Sequence, residues 1–301
     1  AIKQRNPKAA ILEVPQYTSM GSYQTTVCGY WQSEHRLRTN VGYAGQGNAR
    51  LDNLLLWNSP FEASLLAIPS TTAVLSTPVT TGPTYINLIT QIGPDSPDFL
   101  DYSWLYTTYH HFDYVIMHRW KGSDREVPVR LDHLTERLES FKVFEEPATV
   151  VYDRNLWTPP SRPIGMTANG WRICADAGVT RVMERQASLV IYNPDPERDL
   201  ALSITAKALH HPREVRLNAE GRELARWRVE PGRFAKTDTG LFRLPRGLNE
   251  LTLVCDAEER PTHLREAAMV TDRGPYSLRV NALILGALPL PETPETVAKR
   301  P

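Results

Sequence analysis

Hydrophobic periodicity predicts an α+β chain: an N-terminal α/β domain followed by a C-terminal antiparallel β-sandwich. Three observations carry that prediction. Residues Tyr106 to Trp120, reading YTTYHHFDYVIMHRW, pass from three- and four-residue apolar spacing to a short continuous apolar run, the change from helix to strand covered on both faces. Up to about residue 155, strand-like runs alternate with capped helical patterns. Beyond a proline-bearing stretch with TPPSRP at its centre, helical periodicity almost disappears and short alternating runs recur at all-β spacing. The expected organisation is an α/β domain over 1–155, a linker over 156–169, a β-sandwich over 170–287 and a loose tail over 288–301, where PLPETPET and KRP offer nothing to pack.

Each element follows from local chemistry. Ala10 to Val14 reads as a buried strand, and Asn48 to Trp57 as a helix through Leu51, Leu54 and Leu55. Ser59, Pro60, Phe61 and Glu62 form a capping box with proline at the first helical position, opening a short helix to about Ala67. Ser70 to Gly93, rich in threonine, proline and glycine, is expected to be a long excursion with one edge strand around Tyr85 to Ile89. Ser96, Pro97 and Asp98 start an amphipathic helix that runs to His111, with Phe99, Tyr102, Leu105, Tyr106 and Tyr109 on its apolar face. Tyr114 to Met117 is the strand it feeds, and His118 stands at the strand end, where ligands collect in open α/β sheets. Val129 to Phe141 is helical, and Phe141 to Glu145 with Thr149 to Tyr152 closes the domain as a strand pair.

In the sandwich, the runs Ser188 to Tyr192, Leu200 to Lys207, Glu214 to Leu217, Arg222 to Val229, Phe242 to Leu244, Leu248 to Cys255 and Leu278 to Leu285 supply seven or eight strands. Asn218 to Gly221 joins two of them as a tight hairpin. Trp171, Tyr192, Trp227 and Tyr276 are either core residues or a platform for sugar rings.

Composition narrows the function. Of 301 residues, 41% are apolar and 23% charged, which suits a globular chain with two cores. Thirty-four basic residues balance thirty-four acidic ones, so no nucleic-acid footprint is present. No run approaches the length of a membrane span, and AIKQRNPK lacks the apolar core of a signal peptide. The first residue is not methionine, which is compatible with a segment of something longer. Cys28, Cys174 and Cys255 have no metal spacing, and an odd count argues against a complete disulfide framework, although one bridge remains open. No metal or cofactor is expected: His110-His111 and His210-His211 are adjacent pairs whose side chains diverge.

The densest group of functional side chains lies between Tyr30 and Asn53. Tyr30, Trp31, Glu34, His35, Arg36, Arg38 and Tyr43, with His118, are the candidate ligand-binding residues, because flat rings stack on sugars and fixed polar groups read hydroxyls. Glycines at 42, 45 and 47 allow close backbone approach. Glu34 with His35, or Asp113 with His118, would make an acid/base couple. No catalytic nucleophile is legible, since a G-x-S-x-G elbow is absent.

Ile11 to Pro15 (ILEVP), Tyr23 to Thr25 (YQT), His35, Gly42, Tyr43 and Val115 to His118 (VIMH) occur in an order that resembles the soluble extracytoplasmic C-terminal region of bacterial polytopic, mannosyltransferase-like membrane glycosyltransferases. The motifs cover about the first 120 residues and the remainder matches by layout. The resemblance implies a non-catalytic module on the periplasmic face of a membrane, assisting recognition of a glycan or a polyprenyl-linked sugar acceptor. Membrane contact would come only through an N-terminal region outside these 301 residues, because the membrane helices and acidic loop of that family are missing here. The alternatives are a free-standing carbohydrate-binding cell-envelope protein and a soluble enzyme using His35 and His118.

Overall fold

A computed structural model describes residue 2 and residues 6–14, 38–39, 60–63, 84–89, 92–94, 96–118, 132, 134–147, 149–173, 180–260 and 275–287. The chain divides into two compact units, one comprising 1–74 and 90–160, the other 75–89 and 161–301.

The first unit is built on a five-stranded mixed sheet. β1 (Ala10–Val14), β2 (Arg38–Thr39), β4 (Tyr114–His118), β5 (Lys142–Glu146) and β6 (Thr149–Asp153) lie in the order β2-β1-β4-β6-β5. β1 runs parallel to both β2 and β4, whereas β6 is antiparallel to β4 and to β5. Among the described residues of this unit are the helices α1 (Pro60–Ala63) and α2 (Phe99–Tyr109). Residues 134–138 are also helical.

α2 departs from its expected amphipathic character, because Phe99, Tyr102, Ser103, Trp104, Leu105, Tyr106 and Thr107 are all buried. Thr107, on what periodicity makes the polar side, satisfies its hydroxyl by donating to the Ser103 carbonyl at 2.7 Å. The Phe61 ring of α1 meets Phe99, Tyr106 and Trp157 at 6.0, 6.4 and 6.2 Å, so aromatic edges and faces make up much of this core. His111 ends the helix in the left-handed region (φ 58), with the Phe112 N–H donating to the Thr107 carbonyl and the His111 N–H to Thr108. That is a Schellman stop with histidine where glycine is usual, and it turns the chain directly into β4. Asp113 then pins the start of β4 to β1, its carboxylate accepting from the Ala10 N–H at 2.8 Å.

The second unit is an antiparallel β-sandwich. One sheet has the order β13-β12-β15-β10-β7, from β7 (Ile164–Thr167), β10 (Gln186–Asn193), β12 (Arg213–Ala219), β13 (Arg222–Val229) and β15 (Gly247–Cys255). The other has the order β14-β11-β16-β9-β8, from β8 (Trp171–Ile173), β9 (Arg181–Met183), β11 (Leu200–Ala208), β14 (Ala235–Phe242) and β16 (Leu278–Ala287). β3 (Thr84–Asn87) also pairs with β16, so β3 and β9 share one edge of that strand end to end. Strict alternation in β11, with Leu200, Leu202, Ile204, Ala206 and Ala208 buried, marks its inward face. The β12–β13 hairpin closes on Glu220 and Gly221, both at positive φ (49° and 77°), as a two-residue turn of this kind requires.

Other features also differ from the sequence expectation. β7 lies inside the stretch read as a linker, where four buried residues after Pro163 are too short a run to register as a strand. β14 precedes the expected Phe242 to Leu244, because an edge strand with mostly exposed side chains carries no apolar alternation. β3, from the threonine-rich excursion, belongs to the second unit. Among the described residues, no helix is long and apolar enough to cross a membrane.

Candidate functional site

Parallel strands β1 and β4 pair Glu13 with Ile116, which places His118 on the same face two residues further on. His118 Nε2 lies 3.4 Å from Glu13 Oε2. Glu13 is 1% exposed and His118 9% exposed, so a carboxylate and an imidazole converge inside the carboxyl end of the parallel pair. A buried carboxylate within a strand is costly unless it is matched, and this position in an α/β sheet is where chemistry is usually sited.

Of the residues singled out from sequence, the structure brings His118 to Glu13 and not to Asp113, which sits at the opposite end of β4. Arg38 is in β2 with its backbone beside Ala10, five strand residues or about 16 Å from the level of His118. Tyr30, Trp31, Glu34, His35, Arg36 and Tyr43 lie outside the described residues, as do Cys28 and Cys174. Cys255 is a buried free thiol whose pKa is pushed up by burial. Glu13 was legible only as part of ILEVP; a charged residue at the centre of an otherwise apolar strand was the available signal.

The sandwich unit presents a second surface. Of the two readings of the sandwich aromatics, Trp171, Trp227 and Tyr276 take the core one: all three are buried, and Trp171 Nε1–H donates to the Ser188 carbonyl at 2.9 Å. An exposed aromatic comes instead from β3. Tyr85 is 67% exposed and pairs with Gly286, which pairs with Ala201, which pairs with Leu241, itself 60% exposed. Directly paired residues share a face, so these four form one row across the outward side of the sheet. A side chain at Gly286 would approach the Tyr85 ring to 3.1 Å, so the glycine lets the ring lie over the sheet. The next row is Asn87, Ile284, Ser203 and Asp238, and beyond it come Ala282, Thr205 and Lys236. In the first row Gly286 and Ala201 lie between Tyr85 and Leu241, leaving a shallow floor about 14 Å wide, three interstrand steps. A bulge in β14 opposite Ala201 to Ser203 is stabilised by the Thr239 hydroxyl, which accepts from the Leu202 N–H at 3.0 Å.

A mixed-sheet unit and an antiparallel sandwich therefore define the chain's class. No protein-family model matches it, and no curated protein matches it. Among solved structures, it is similar to the CBM36-1 domain of a multidomain xylanase from the hindgut metagenome of Trinervitermes trinervoides, with 14% identity over 35% of this chain and 73% of that one and a TM-score of 0.24. It is likewise similar to the EclA C-terminal domain, a sugar-binding protein, with 12% identity over 43% and 81% and a TM-score of 0.25. The CBM22-1 xylan-binding domain from Paenibacillus barcinonensis Xyn10C gives 12% identity over 42% and 87%, with a TM-score of 0.23. At these scores the ligands of those proteins are not transferable, and the sandwich rests on its own strand pairing.

Proposed function

We propose that the chain is a non-catalytic glycan-recognition protein whose sandwich unit binds carbohydrate on the outward face of its β14-β11-β16 sheet. The observation that carries this reading is the row Tyr85, Gly286, Ala201 and Leu241: an exposed ring lying over a glycine floor, with hydroxyl, amide and carboxylate groups in the adjoining row. Flat aromatic surface with flanking hydrogen-bonding groups suits the apolar face and hydroxyl rim of a pyranose. Tyr85→Ala tests it in a glycan array followed by titration of any hit. At least tenfold weaker binding is expected, with thermal stability unchanged because the ring is largely solvated. Binding that survives the substitution, or an array without hits, refutes the assignment.

A second reading places this module in a larger protein, as the extracytoplasmic part of a membrane glycosyltransferase-like enzyme with an N-terminal α/β layer, assisting recognition of a polyprenyl-linked acceptor. It is supported by the pairing of the two strands that carry the family resemblance, ILEVP and YVIMH, which run parallel and bring Glu13 to His118. Sequencing the gene upstream of Ala1 decides it, because a frame without membrane spans there is incompatible with this placement.

A further inference from the structure

Two exposed apolar side chains end the row that crosses the outward face: Tyr85 on β3 and Leu241 on β14. Gly286 and Ala201 stand between them. Even with the Tyr85 ring drawn over Gly286, two interstrand steps, about 10 Å, separate it from the strand of Leu241. Adjacent rings of an oligosaccharide are too close together to touch both ends.

The Leu241 end is built by an irregularity in β14. Leu241 pairs with Ala201 and Asp238 with Ser203, so three steps along β14 match two along β11. In a regular strand, residues three apart face opposite sides of the sheet. The extra residue brings Leu241 and Asp238 onto one side, and both are exposed. Re-aiming a side chain beside a binding surface is a recurrent use of such bulges. This one is fixed by its own residues: Gly240 takes the left-handed conformation (φ 74), and the Thr239 hydroxyl accepts from the Leu202 N–H at 3.0 Å and donates to the Gly240 carbonyl at 2.9 Å. Asp238 stands 3.5 Å from Lys236, with both side chains more than half exposed, so its carboxylate is open to hydroxyl donors beside Leu241.

We infer that the β14 bulge builds a second sugar subsite, with Leu241 as its apolar contact and Asp238 as its hydroxyl acceptor, and that the ligand is an extended oligosaccharide of at least three sugars lying across the strands from Tyr85 to Leu241. This deepens the carbohydrate reading and rests on it. A single sugar fills one end only. A chain that reaches both ends makes the second contact intramolecular, so affinity climbs once that length is reached.

The test is calorimetric titration of the whole chain with ladders of one to six sugars from cello-, malto- and β-1,3-gluco-oligosaccharides. In whichever ladder binds, affinity is expected to rise at least tenfold between disaccharide and tetrasaccharide and then to level off. Leu241→Ala and Asp238→Asn are each expected to remove most of that rise, and Tyr85→Ala to weaken every length. All three side chains are exposed, and thermal unfolding checks that each variant keeps its fold. Equal binding of disaccharide and tetrasaccharide, or a length dependence that neither Leu241→Ala nor Asp238→Asn alters, overturns the second subsite and leaves carbohydrate binding standing. If no ladder binds, this inference fails, and the glycan array with Tyr85→Ala decides separately whether the carbohydrate reading stands.

Discussion

The two units place their ionisable groups in opposite ways. In the first, Glu13 and His118 meet inside the sheet, and His110 is enclosed by the rings of Tyr106, Tyr109 and Phe112 at 4.7, 5.0 and 6.2 Å. In the second, charges are mostly exposed and matched in clusters, as in Arg226 with Glu214 and Glu223, or Arg243 with Glu197 and Asp199. Exposed pairs of this kind contribute little to stability, about 0 to 1 kcal/mol each, so the sandwich depends on its apolar faces. The mixed sheet instead carries polar groups whose burial costs free energy unless a partner offsets it. Among the described residues, the buried carboxylate–imidazole pair belongs to the first unit and the open row of Tyr85 to the second.

The largest expected effect probes that contrast at Glu13. Glu13→Ala should destabilise the first unit by about 3 kcal/mol, because the imidazole of His118 keeps its burial and loses the Glu13 carboxylate 3.4 Å away. Replacing both residues by leucine should recover most of the loss, since an apolar pair of similar volume needs no compensation in a buried strand. Denaturant unfolding followed by hydrogen exchange of β4 amides measures both. If the double leucine variant is as unstable as Glu13→Ala, the pair is not a polar insertion in an apolar layer, and the contrast between the units loses its main support.

His110 gives an effect of similar kind and somewhat smaller size. Burial, with a contribution from neighbouring His111, lowers its pKa from 6.5 to about 4. Between those values the unfolded chain takes up a proton that the folded chain refuses, so stability is fully present above pH 6.5 and is lost as pH falls toward 4. The loss is on the order of 3 kcal/mol. His110→Phe should abolish this acid lability while keeping the ring cluster, and stability measured at pH 7 and pH 4 should then differ less than in the wild type. An unchanged pH dependence would assign the lability elsewhere.

How much of this was legible from sequence follows the same division. β1, α2 and β4 were readable because each is a dense apolar or aromatic pattern between strong stop signals. α2 was misread as amphipathic because Thr107 is polar by type yet is buried with its hydroxyl donating locally to the Ser103 backbone carbonyl. β8 and β9, at three residues each, carry no periodicity at all, and β14 is an edge whose exposed residues have no reason to alternate. His118 was found at its strand end; its partner Glu13 was not, because parallel register is a long-range property absent from local pattern. The surface row had no sequence signal either. Tyr85, Ala201, Leu241 and Gly286 are scattered over two hundred residues, and only strand pairing gathers them.

The smallest expected effect lies in the second unit and has the opposite sign of dependence to that of an unmatched buried acid. Burial would raise the Glu259 carboxyl, but His211, the His210 N–H at 2.9 Å and Arg213 at 2.5 Å outweigh it and hold it down from 4.5 to about 2. A carboxylate depressed in this way stabilises the fold above pH 4.5 and loses that contribution as pH falls toward 2. The backbone of Glu259 also exchanges hydrogen bonds with Tyr276, at 2.9 and 3.0 Å, so the charge anchors one bridge of the sandwich. Glu259→Gln should cost about 1 to 2 kcal/mol at pH 7, with the gap from wild type closing between pH 4.5 and 2. His110 and Glu259 thus assign the two units separate acid windows, 6.5 to 4 and 4.5 to 2. Amide exchange followed across both should show β4 and α2 losing protection before β11 and β16. Simultaneous loss, unaffected by Glu259→Gln, would mean that the buried and surface groups do not set the acid limits of their own units.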